Sequence, residues 1–262
     1  MVDEALHANM RNRSLLLAAL ITLSSLSVVI ANDTVTTQDV DLSGNHTMTG
    51  NYTVSHGTTL TIKPGTTIDM QNYWMEVEGT LIANNATIMS SIQTTGLGSH
   101  NAGVWDALTI TSIGSATLDN VTISNAKSCM IIDGTLTAKS LVIEDCLIGI
   151  EVDGSATIDD ATISHVDHDG IRSTGNLDIT AATIDDVSAG IHSSGDMVLS
   201  DATFSNAGVG IASTSMTGSG RIDNYDDYLN NHTDATDFTF AAKNPGSWAN
   251  DLKVTFIDDF AS

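Results

Sequence analysis

Five glycines, Gly114, Gly134, Gly154, Gly175 and Gly195, open segments of matching sequence at intervals of 20, 20, 21 and 20 residues. A short fixed period restricts a chain to architectures built from one repeated unit. Aligned on the glycines, the segments begin GSATLDNVTI, GTLTAKSLVI, GSATIDDATI, GNLDITAATI and GDMVLSDATF. Four places after each glycine stand Leu118, Ala138, Ile158, Ile179 and Leu199; nine places after stand Ile123, Ile143, Ile163, Ile184 and Phe204. Met130, Ile150, Ile171, Ile191 and Ile211 make a third column, and Ala126, Cys146, Val166, Val187 and Ala207 a fourth, of smaller residues. Between the columns polar and apolar residues alternate, the period-two signature of half-buried strands, and helical spacing does not fit.

A unit of about 20 residues with three short strands cannot bury its own apolar face, but parallel stacking of such units closes a continuous core. The expected fold is all-β, a single-stranded parallel β-helix with coils about 4.8 Å apart and like residues over like. The third unit carries one extra residue within HVDHDG. It should bulge at a turn, because a one-residue slip inside a strand would turn its apolar side chains outward. The composition agrees: 41% of the 262 residues are hydrophobic, enough for a core, while aromatic residues are 5%. With 9 Lys and Arg against 32 Asp and Glu, the net charge is −23. That balance argues against a nucleic-acid backbone or an anionic lipid surface as partner.

Upstream the pattern loosens: Gly57 opens GTTLTIKPGTTIDM and Gly79 opens GTLIANNATIMSS, for two or three irregular coils before the regular block. TLTIKPGTTI, MEVEGTLIA and VWDALTI, followed by the repeats, resemble the right-handed, pectate-lyase-like parallel β-helix proteins exported by many bacteria and archaea. The likeness spans about residues 34–217. It implies right-handed winding, and its scaffold carries lyases, hydrolases, adhesins and inert surface proteins alike.

Both ends differ from the repeat. Residues 14–31, SLLLAALITLSSLSVVIA, form an uncharged apolar run after Arg11 and Arg13. This reads as a signal for export cleaved before Asn32, or as a retained N-terminal anchor helix, the only expected membrane contact. Met10 is an alternative start. Asp3 and Glu4 cancel the two arginines, so all of the net charge lies beyond residue 31. After Thr217 the ladders stop, and residues 218–262 form a separate segment. There, FTFAAKNPGSWANDLKVTFIDD resembles a segment of contractile phage tail sheath proteins. Its alternatives are a C-terminal cap over the last coil and a sheath-like fragment.

The densest ionisable cluster is His165, Asp167, His168, Asp169 and Arg172, at the unit with the extra residue. Stacking should set Asp145 and Asp186 beside His165, and Glu151 and His192 beside Arg172. His165, Asp167, His168 and Asp186 are candidate ligands for a divalent metal such as Ca2+; Asp167, Asp169 and Arg172 are candidate catalytic groups for polysaccharide cleavage. A solvated polar face is the alternative. Pectate lyases would match Arg172 as the catalytic arginine. Polygalacturonases would match the pairs Asp159–Asp160 and Asp185–Asp186, but their Gly-His-Gly is missing. Cys129 and Cys146 fall three columns apart, so a bridge should strain the register, and a buried free thiol is expected. The Ser and Thr excess is attributed to strand and turn preference.

The expected function is an exported or cell-surface β-helix with a structural, adhesive or carbohydrate-binding role. Its partner would be a polysaccharide or surface glycan rather than nucleic acid. The alternatives are a polysaccharide lyase or hydrolase centred on His165 to Arg172, and a phage tail-associated protein.

Overall fold

A computed structural model describes residues 28–31, 33–92, 103–214 and 216–219. The fold is all-β: a parallel β-solenoid of about eight turns. Its strands join one continuous sheet in which every described pairing between coils is parallel. Each regular coil has three sides. In the coil opened by Gly114 the first side is 115–119 and the second is 121–124, both within the strand Ser115–Ser124; the third is the strand Ser128–Ile132.

The expected columns are the core. On the second side Ile68, Ile88, Ile123, Ile143, Ile163, Ile184 and Phe204 lie in register from coil to coil. The isoleucines are fully buried and Phe204 nearly so. The third side stacks Tyr52, Met75, Leu108, Met130, Ile150, Ile171 and Ile191. On the first side large and small residues trade places: Ala116 with Leu118, Leu136 with Ala138, Ala156 with Ile158. These three coils therefore fill a similar volume while their bulk alternates, as dense packing requires.

The repeated glycines answer a close approach. A Cβ added to Gly154 would lie 2.2 Å from the carbonyl oxygen of Gly134, and one on Gly175 would lie 2.1 Å from that of Gly154. Backbone meets backbone there, so no side chain can yield. Gly57 does not belong to this stack. It makes the preceding turn at φ +79°, and Thr58 precedes Thr59 as Gly79 precedes its register partner Thr80.

Two further columns turn the chain. Asn85, Asn120, Ser140, Asp160, Ala181 and Asp201 separate the first side from the second, and Asn125, Asp145, His165, Asp186 and Asn206 end the second. All have φ between +46° and +61°. One left-handed residue bends the chain sharply, and short polar Asn and Asp tolerate that region better than other side chains. Eight Asn and Asp residues thus meet a requirement of the corners.

Several expectations are corrected. Solenoid pairing begins earlier than residue 32, because the strand Val28–Ala31 pairs with Asn45–Thr49. Cleavage before Asn32 would remove that strand. The rest of the expected leader, residues 1–27, and residues 220–262 with the sheath-like segment lie outside the described residues. At the other end Met216–Ser219 continues the first side against Met197 to Ser200, past the expected boundary at 217. His46 occupies the second-side column directly below Ile68, buried, with its Nε2 3.0 Å from the carbonyl oxygen of Ser43.

Cys129 and Cys146 are joined by a disulfide, with Cα atoms 6.0 Å apart. No free thiol occurs here. Counting columns overstated the separation, because Ala126 and Cys129 lie on either side of one corner and both point inward. Cys146, one coil on from Ala126, comes within reach of Cys129 across that bend.

Gly154→Ala should lower unfolding free energy by at least about 2 kcal/mol, since a backbone contact at that distance must open. Ile163→Ala should cost about 2–5 kcal/mol, and Thr157→Ala, with its side chain outside, well under 1 kcal/mol. Denaturant unfolding of the three variants checks the order. Replacing both cysteines by Ala should cost about 3 kcal/mol, the loop-closure value for a bridge across so short a loop, read the same way.

Candidate functional site

The extra residue of HVDHDG is absorbed where expected. The register with the next coil is regular through Val166, shifts, and resumes at Asp169 opposite Ala189. The third-side strand is therefore undisturbed, with Glu151, Arg172 and His192 in one outward column as the stacking predicts. The backbone N–H of His168 donates to the carbonyl of Leu147 at 2.9 Å, tying the bulge to the coil before it.

His165 sits at the second corner. Its Nδ1 lies 3.9 Å from Asp145 Oδ1 and its Nε2 4.0 Å from Asp186 Oδ2, so the expected flanking pair is in place. The His165 side chain is 51% exposed. At those distances in water the attraction is a few tenths of a kcal/mol. Asp167 is half-buried and His168 exposed. Among the described residues, no group of three His, Cys, Asp or Glu side chains is placed to hold a metal ion. His165, Asp167, His168 and Asp186 share a corner and a bulge, and the structure does not gather them around one point.

Arg172 is held by a partner within its own coil. Its Nε donates to Asp169 Oδ2 at 2.7 Å, and one terminal nitrogen lies 3.8 Å from Glu151 Oε2. Asp169 is only 9% exposed. The carboxylate is largely covered at the bulge, and the guanidinium neutralises it with a charge-assisted bond. Arg172 thus clamps the bulge. Sequence spacing shows the column neighbours of Arg172 but not this bond, because the bulge sets where Asp169 points.

The paired aspartates separate. Asp160 is a residue of the first corner and Asp186 of the second, while Asp159 and Asp185 precede them on different sides. Asp185 accepts a 2.6 Å bond from the Ser205 hydroxyl and a 2.8 Å bond from the Asn206 amide. The Ser205 bond is the main cause holding its carboxyl below the usual carboxylate range; the Asn206 amide and the nearby His165 add to it against a desolvation cost.

A further ordered feature lies outside the core. On the first side three outward columns run coil over coil in unbroken register; one, Asn84, Asp119, Lys139, Asp159 and Thr180, is charged, and the other two are mainly Thr, Ser and β-branched residues. Of those two, one is Thr59, Thr80, Ser115, Thr135, Ser155 and Asn176; the other is Thr61, Ile82, Thr117, Thr137, Thr157, Asp178 and Val198. The hydroxyls of Thr80 and Ser115 lie 3.4 Å apart along the first column. A shallow hollow among Ser155, Thr157, Asn176, Asp178, Asp196 and Val198 ends the face. The second side bears one similar column, Thr67, Thr87, Thr122, Val142, Thr162, Thr183 and Thr203. Strand preference explains threonine in such places, but not its collection into columns. The signal available in sequence was TLT or SAT directly after successive glycines.

No protein-family model, curated protein or solved structure matches the chain.

Ser205→Ala should raise the Asp185 carboxyl toward its ordinary value, read by carbon-detected NMR titration. The sign follows from linkage: a depressed folded-state value contributes stability at neutral pH that is lost as pH falls through it. The wild type should therefore lose more stability than Ser205→Ala on acidification below the ordinary aspartate range.

Proposed function

We propose that the protein is exported and works at or outside the cell surface as a structural or adhesive solenoid, meeting an extended ligand along its outward side columns. The observation that carries this reading is the run of equivalent Thr, Ser and β-branched side chains in two outward columns of the first side. Such a surface offers the same contact at every coil, which suits a ligand that itself repeats. The Cys129–Cys146 bridge supports an oxidising compartment, where disulfides persist. The apolar run at residues 14–31 supports export. The acidic remainder of the surface keeps such a particle soluble and disfavours polyanionic partners.

The test has two arms. Full-length protein is incubated with insoluble neutral polysaccharides and cell-envelope preparations, and separately with uronate chains with and without Ca2+. Adsorption without turnover is the expected result. Uronate cleavage that disappears in Asp167→Ala and Arg172→Ala would instead establish a lyase or hydrolase at the bulge. Recovery of the native protein wholly from the cytoplasm, with its thiols reduced, would overturn the reading.

A further inference from the structure

These two columns of the first side form a grid with one spacing set by the stacking of coils, about 4.8 Å, and the other by alternate residues of a strand, about 6.7 Å. The register across this side is unbroken from Thr59 to Val198; the single shift falls elsewhere, between Val166 and Asp169. Thr, Ile and Val fill all but one position of the second column. These side chains are β-branched and rotationally stiff, so methyls and hydroxyls are held in place before anything binds.

Between Thr59 and Val198 Asp178 is the one ionisable residue of these two columns; Asp41 pairs with Thr61 at one end, and the third outward column of the same side carries Asp119, Lys139 and Asp159. Exposed Ile82 and Val198 stand in the same column as Thr117, Thr137 and Thr157. Solvation alone gives no reason to retain exposed isoleucine and valine in a column of threonines. No aromatic ring stands in either column to lie against a sugar.

We propose that this face binds ice. In a tetrahedral water network, two hydrogen bonds of about 2.8 Å meeting at one oxygen span about 4.6 Å, and three in an extended zigzag span about 7 Å. The grid's two spacings lie within a few tenths of an ångström of these. Water bridging neighbouring threonine hydroxyls is therefore placed near lattice positions, while the fixed methyls keep the layer from hydrating in other arrangements. The proposal takes the outward columns as the contact surface, as the functional reading does, and names crystalline water as the partner.

The experiment measures thermal hysteresis and adsorption to a growing ice crystal, using the full-length fluorescently labelled protein. Thr137→Tyr places a bulky side chain in the middle of the grid; Thr183→Tyr places the same side chain on the second side as a control. Circular dichroism checks that each variant retains its strand signal. The expected result is a freezing-point gap with faceted crystals for wild type and Thr183→Tyr, and loss of both gap and adsorption for Thr137→Tyr. Wild-type protein that is excluded from ice and shows no gap overturns the proposal, whatever the variants do. So does equal loss in both variants. Adsorption to a crystalline neutral polysaccharide, lost in Thr137→Tyr and without ice binding, would overturn the ice proposal while leaving the contact-surface reading standing.

Discussion

Parallel backbone hydrogen bonding between successive coils is the constraint from which the rest of this molecule follows. It holds each strand about 4.8 Å above its equivalent and forbids a one-residue slip, since that would reverse every side chain. Whatever one coil does at a position, the next must accommodate at the same position. Isoleucine therefore lies over isoleucine inside, glycine over glycine where backbones nearly touch, and left-handed Asn or Asp over its like at the corners.

The same rule determines what a reader of the sequence could see. Columns such as Ile123 to Ile184 are visible because register and period coincide, and so is the bulge in HVDHDG, the one place in the regular block where the count fails. Relations that depend on how the chain bends were hidden. The disulfide crosses a corner where residues three apart in sequence both point inward, a geometry no column count contains. The Asp169–Arg172 bond depends on the turn of the bulge. His46 was missed because the irregular spacing below Gly79 conceals its place beneath Ile68.

The candidate site was legible in its membership and misleading in its meaning. His165 does stand between Asp145 and Asp186, but all three residues occupy one left-handed corner column, where such side chains are favoured on conformational grounds alone. Two outward columns of the first side hold mainly Thr, Ser and β-branched apolar residues, while the third holds Asp119, Lys139 and Asp159. Propensity accounts for threonine at single strand positions, whereas its arrangement in columns follows from the register.

Distance measurement between spin labels tests the stacking most directly. With one label at Thr61 and a second at Thr157 or Val198, all in one column, the second site lies four or six coils away. Pulsed dipolar spectroscopy should then give mean separations near 19 and 29 Å, for a rise of about 4.8 Å per coil. Separations that fail to grow in proportion to the number of coils would contradict the solenoid and everything built on it.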